Sequence, residues 1–212
     1  MQWYTRVAHL LESLKDSDGI KKITDALPTG NNLLGKVGID QTTPGTTNKV
    51  VAEISGSGVA VTATQTRPNN VTGYTALDVV GTDPATNLTF ATGLEAGSGF
   101  AIFGARLRID AAAIPAGMTS FILHLYTVEP TPIVDNAAYN LPAADREKYL
   151  DYIEISGIKR LGDTLFASVN NLNITGKLAN GAASLYGILQ TTGAYPPIAL
   201  TVKTVKLIMA EL

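Results

Sequence analysis

Thr119-Ser120-Phe121-Ile122-Leu123-His124-Leu125-Tyr126-Thr127-Val128 decides the fold class of this chain. In an extended chain successive side chains point to opposite faces. Phe121, Leu123, Leu125 and Thr127 then face one way, and Ile122, His124, Tyr126 and Val128 the other. Both faces are largely apolar, as expected of a central strand covered on both sides. Upstream, Phe100 to Ile109 also alternates. Ile102, Gly104, Arg106 and Arg108 fall on one side, and Phe103, Ala105, Leu107 and Ile109 on the other.

Further strands are expected at Val50 to Ile54 and Val59 to Thr66, around Gly56-Ser57-Gly58. Thr75 to Val80 and Asn87 to Thr92 read as short strands. Tyr152 to Ile158, Thr164 to Val169, Ser184 to Gln190 and Ile198 to Met209 complete the set. About eight to ten strands divided by turn residues indicate a mainly β body, a β-sandwich or jelly roll. Strands do not alternate with long helices, so a doubly wound fold is not expected. One helical insert is expected over Asn140 to Leu150, where a capping Asn140 and an early Pro142 precede good helix formers.

Residues 1–48 differ in character from the β body of residues 49–212. Trp3, Val7, Leu10 and Leu14 recur at heptad spacing, with Leu11 widening the stripe, so residues 3–15 read as an amphipathic helix. Asp16-Ser17-Asp18-Gly19 stops it. A second short helix from Ile20 to Ala26 ends at Leu27-Pro28. Residues 27–48, rich in Gly, Pro, Asn and Thr, read as an extended arm. A helix of this length is marginal alone and needs a partner surface. Trp3, Val7, Leu10, Leu11 and Leu14, with Leu33, Leu34 and Val37 of the arm, are therefore the candidate interface residues. The helix either folds back on its own body or docks on a neighbouring subunit.

Only 16% of the 212 residues are charged, against roughly 25% in typical soluble domains. Such a surface suits a protein covered by its neighbours. The net charge of −2 and scattered basic residues give no footprint for nucleic acid. There is no cysteine, which removes disulfides and thiolate metal sites. No apolar run reaches bilayer length and no signal peptide is legible, so neither a membrane nor a secretory route is expected.

Residues able to carry chemistry are sparse. His9 and His124 lie far apart in sequence; one reads as a surface residue and the other as a hydrogen-bonded sheet residue. Asp16-Ser17-Asp18-Gly19 lacks the remaining ligands of a calcium loop. No G-x-S-x-G elbow is present. Gly97-Ser98-Gly99 precedes a strand and reads as a tight turn. Asp78, Asp83, Asp110 and Asp135 could pair as glycosidase carboxylates, but most sit beside turns, where Asp caps backbone groups. The sequons at Asn70, Asn87 and Asn173 read as products of a Thr- and Asn-rich composition. No catalytic, metal or cofactor residue is assigned.

Several stretches resemble structural proteins of tailed phages. These are Leu27-Pro28-Thr29-Gly30-Asn31-Asn32-Leu33-Leu34-Gly35-Lys36-Val37, Asp40-Gln41-Thr42-Thr43-Pro44-Gly45-Thr46-Thr47-Asn48, and Tyr74-Thr75-Ala76-Leu77-Asp78-Val79-Val80-Gly81. Gly104-Ala105-Arg106-Leu107, Leu123-His124-Leu125-Tyr126, Asp135-Asn136-Ala137-Ala138-Tyr139 and Ala183-Ser184-Leu185-Tyr186-Gly187 continue the series in order. The resemblance spans residues 27–209 and implies a non-enzymatic virion protein made in the host cytoplasm. Its expected place is the outer head surface, as a decoration or cement subunit. The major capsid protein and other copies of itself, a trimer ahead of a dimer, are the expected partners. A tail, baseplate or fibre component and a polysaccharide-cleaving enzyme are the alternatives.

Overall fold

Nine strands carry the architecture of residues 58–212, the part of the chain that the computed structural model describes. They are β1 (Val59–Thr66), β2 (Leu88–Ala91), β3 (Gly99–Ile109), β4 (Phe121–Tyr126), β5 (Tyr149–Ile155), β6 (Lys159–Leu161), β7 (Thr164–Lys177), β8 (Ser184–Thr191) and β9 (Val202–Glu211). The expected helices over 3–15 and 20–26, the arm over 27–48, the strand over 50–54 and the boundary at 48/49 lie outside the described residues.

Every pairing is antiparallel and the pairs are nested. β4 pairs β5, β3 pairs β7, β2 pairs β8 and β1 pairs β9. Residues 59–211 thus form one long hairpin wrapped over itself. It forms a five-stranded sheet ordered β1-β9-β3-β7-β6 and a four-stranded sheet ordered β2-β8-β4-β5. The mainly β, two-sheet sandwich read from the sequence is the observed architecture.

The core lies between the sheets. Phe121, Leu123 and Leu125 of β4 are fully buried in it, with Phe90, Phe100, Leu107, Leu185, Val205 and Leu207. Each such side chain contributes about 1.5–3 kcal/mol by burial. β4 lies between β8 and β5, so its central placement holds. Its second face is covered as well: Val79, Tyr126 and Ile188 form a smaller cluster beneath Ile133, Tyr139 and Leu141 of the β4–β5 connection.

Several local expectations are corrected. β3 does not alternate throughout. Its register shifts between Ile102 and Gly104, and Phe103 is left outside at 45% exposure. This β-bulge lets Phe100 and Ile102 point into the core with Ala105, Leu107 and Ile109. Thr75 to Val80 is not a strand. Its backbone is spent on isolated bridges, Asp78 to Ala138 and Val79 to Gln190, and on a turn in which Asp78 Oδ2 accepts from Thr75 N at 2.6 Å. The insert at 140–150 is a 3-10 turn, Ala143–Lys148, without a side-chain cap, and Tyr149 already belongs to β5. β5 ends at Ile155 rather than Ile158, before Gly157 at φ +68°. β7 continues well past Val169 through an Asn-rich stretch, and β9 starts at Val202 rather than Ile198.

Two connections meet backbone to backbone at one end of the sandwich. A Cβ on Gly117, whose φ is +89°, would lie 2.0 Å from the Ala194 carbonyl oxygen, and one on Gly193 would lie 2.2 Å from that of Gly117. Only glycine permits this approach. Pro115, Met118, Tyr195 and Pro197, from these two connections, line one crevice there.

Candidate functional site

The outward side chains of the five-stranded sheet follow from strand parity. Val61 and Ala63 of β1, and Val205, Leu207 and Met209 of β9, face the core, so their neighbours face out. The ladder aligns them in rows. One row reads Thr62, Lys206, Arg106, Ser168. The next reads Thr64, Thr204, Arg108, Phe166, Lys159. On the other side lie Ala60, Ile208, Gly104 and Asn170, beside the exposed Phe103. These rows hold Lys206, Arg106, Arg108 and Lys159 and no carboxylate. Arg108 reaches Asp110, beyond the end of β3, at 3.4 Å, and both groups are about half exposed. Arg106 and Lys206, direct cross-strand neighbours, have no ion-pair partner among the described residues. Like charges placed opposite each other destabilise a sheet. The chain is net negative, so this face is polarised against the balance of the whole.

A second polar assembly closes one end of the sandwich. The core-facing positions of β1 run Val61, Ala63, Gln65, and Arg67 follows; on β9 they begin at Lys203. Arg67 is 1% exposed, and each of its three side-chain nitrogens donates a hydrogen bond. Nε donates to Tyr74 OH at 2.9 Å, Nη1 to the Asn70 carbonyl, and Nη2 to Asn70 Oδ1 at 2.8 Å and Thr72 O at 2.9 Å. Asp135 accepts from Tyr74 OH at 2.5 Å and Gly81 N at 3.0 Å, and its Oδ2 lies 3.5 Å from Arg67 Nη2. Burial pushes the Tyr74 and Tyr195 hydroxyls well above the ordinary tyrosine range. Such a network ties β1 to the loops before β2 and β5, and removing one member strands the others.

His124 is the third polar feature. Its Nδ1 is 3.1 Å from Tyr149 OH and its Nε2 is 3.0 Å from Gln190 Oε1. The ring stacks on Tyr139 at 3.7 Å between centroids. Burial lowers its pKa below the usual value, opposed by the Gln190 hydrogen bond. His124 is thus a hydrogen-bonded sheet residue whose partners are other fixed side chains. Nearby, Asp145 is 1% exposed, with Lys148 Nζ 2.7 Å from its Oδ1; that ammonium holds the carboxyl below the usual range.

Of the residues read as candidates from sequence, Trp3, Val7, Leu10, Leu11, Leu14, Leu33, Leu34 and Val37 lie outside the described residues, as does His9. Asp78 caps its own turn, as expected of Asp beside a turn. Asp135 does not: it is a buried ion-pair partner. Arg67, Lys203, Arg106 and Lys206 were not singled out. Strand parity was the available signal, since continuing the inward register of Val61-x-Ala63-x-Gln65 and of Lys203-x-Val205-x-Leu207 sends a cation to the core side. Among the described residues no group of three His, Asp or Glu side chains is arranged to hold a metal. Among them, too, no helix is long and apolar enough to cross a membrane. No family model matches the chain, and no curated protein matches it.

Proposed function

We propose that the chain is a structural subunit of a tailed-phage particle, a decoration or cement protein that acts by binding and not by catalysis. Its partners are the major capsid protein and other copies of itself, with a trimer favoured, and its place is the outer surface of the head. The observation that carries this reading is the outward face of the five-stranded sheet. Arg106 and Lys206 sit side by side there without a carboxylate, next to the exposed Phe103. A face that opposes its own charges is relieved when an acidic partner surface covers it. The strand order, β1-β9-β3-β7 facing β2-β8-β4-β5 with β6 as an added edge hairpin, is that of a jelly roll. Viral capsid domains use this architecture, although lectins and cupins use it too, so the fold supports the reading without carrying it.

The test is binding to undecorated heads. The purified chain is expected to bind saturably at symmetric positions, and less tightly as salt rises. Arg106→Glu is the informative variant. It places a carboxylate opposite Lys206, which stabilises the free chain by roughly 0.2–1 kcal/mol, while it repels an acidic partner. Stability unchanged or higher with binding lost is the expected pattern. Undiminished binding by Arg106→Glu, or no binding by the native chain, contradicts the reading.

A tail, baseplate or fibre role is the second reading. It is favoured by the tyrosines on the outer side of the four-stranded sheet, where Tyr152 is 52% exposed and Tyr149 and Tyr186 are partly exposed. Aromatic faces of this kind suit a receptor surface. Copy number per particle separates the two: many copies over the shell, or a few at the tail.

A further inference from the structure

Three loops at the end of the sandwich near Arg67 carry no charge. Residues 68–77 follow β1, residues 111–120 join β3 to β4, and residues 192–201 join β8 to β9. These thirty residues hold no Asp, Glu, Lys, Arg or His, where the 16% of the whole chain would give about five charged residues. The charges that flank them are kept off the surface or paired. Arg67, Asp78 and Lys203 are buried, and Asp110 is paired with Arg108.

What these loops expose is aliphatic. Val71, Ile114, Ile198 and Leu200 are between 42% and 70% exposed. The loops are tied into one surface. Tyr74 N donates to Tyr195 O at 3.0 Å, Leu200 N to Pro68 O at 3.3 Å and Thr192 N to Ser120 O at 3.1 Å. They are also held in shape. The Arg67 side chain donates to the carbonyls of Asn70 and Thr72, on either side of Val71. Leu200 stands at φ +56°, next to a turn in which Thr201 Oγ1 donates to Ile198 O at 2.6 Å. A leucine keeps such a backbone only where its surroundings impose it, and here the side chain that results is exposed.

We propose that this tip is where copies of the chain meet around a rotation axis, a threefold axis on the reading above. The inference rests on that reading only in taking other copies of the chain as a partner. Around an axis a patch meets its own copies, so any charge on it would face its like. A neutral aliphatic tip escapes that repulsion, and loops already fixed in shape lose little freedom on association. The outer face of the five-stranded sheet is the opposite case, since Arg106 and Lys206 suit an acidic partner and repel a copy of themselves. A bilayer is a poorer match for the tip. Interfacial anchors present aromatic rings and basic residues, whereas Tyr74 and Tyr195 are buried and the three loops contain no cation.

The experiment follows the mass of the full chain by sedimentation velocity over a range of concentrations. The native chain is expected to pass from monomer to trimer as concentration rises, and added salt is expected not to weaken the trimer. Val71→Asp and Leu200→Asp each set a carboxylate among its own copies and are expected to weaken association about tenfold or more. Circular dichroism is expected to stay native, because both side chains are exposed and Asp tolerates the left-handed backbone at 200. Arg106→Glu is expected to keep the trimer while it loses binding to heads. A native chain that stays monomeric at every concentration, or a trimer that survives both Asp substitutions, would overturn the proposal. So would neutral phosphatidylcholine vesicles that bind the native chain and not the two variants. A trimer that ignores heads would sink the capsid reading and leave the tip standing; head binding by a permanent monomer would sink the tip alone.

Discussion

Lys203 and His124 both reverse the usual sense of a stabilising charge. Folding disfavours the charged form of each relative to the unfolded chain, so the unfolded chain binds more protons between the two pKa values. For Lys203 that window runs from about pH 8 up to the ordinary lysine value of 10.5. Stability therefore rises with pH across the window and sits on its lower plateau beneath it. A lowering of this size corresponds to roughly 3 kcal/mol. Lys203→Met is expected to gain up to that amount at neutral pH and to flatten the alkaline rise, as urea unfolding at pH 7 and pH 10 would show. For His124 the contribution is complete above its unfolded value of 6.5 and declines as pH falls from there toward the lower folded value. The folded Asp145 carboxyl titrates below 3.8, so its contribution holds above that pH and is lost beneath it. Native urea midpoints are expected to drop between pH 7 and pH 5, and His124→Gln to lose that slope. If both proteins show the same slope, His124 is not its source.

At the level of elements, β4 and the β3 bulge make opposite demands on the sequence. Leu123 is fully buried between β8 and β5, and Leu123→Ala is expected to cost about 2–5 kcal/mol in urea unfolding. Phe103, displaced outward by the bulge, is expected to tolerate Ser within roughly 0.5 kcal/mol. A large loss at Phe103 would mean that its ring packs in the free chain. The same contrast explains what was legible beforehand. The two-faced apolar run of β4 has one reading as a buried strand, and it identified the central strand and the sandwich. The β3 segment fits perfect alternation on paper, because a bulge adds a residue without leaving a turn signal. Asn170, Asn171 and Asn173 argue for a loop by propensity, yet β7 runs on through them: Asn170 pairs with Gly104, residues 171–173 bulge out with Asn171 at φ +60°, and the ladder to β3 resumes at Ile174 opposite Ile102. Asn140-Leu141-Pro142 reads as a helix start, but Tyr149 is drawn into β5, where it pairs with Tyr126 and bonds His124. The polar end of the sandwich was hidden for a related reason. Arg67 and Lys203 look like ordinary surface charges until the register shows which way they point.

At the scale of the whole sandwich, residues 58–212 present two unlike outer faces. The four-stranded sheet carries its own cover, since Ile133, Tyr139 and Leu141 pack over Tyr126 and Ile188. On the five-stranded sheet, Thr62, Thr64, Phe103, Arg106 and Arg108 are exposed, and like charges stand together. The most direct test of the proposed role is an electron cryomicroscopy map of the assembled phage particle with this chain located in it. The expected map shows the chain on the head shell, with Arg106, Lys206 and Phe103 pressed against an acidic surface of a neighbouring subunit. A map that leaves this face toward solvent, or a particle that lacks the chain, contradicts the account.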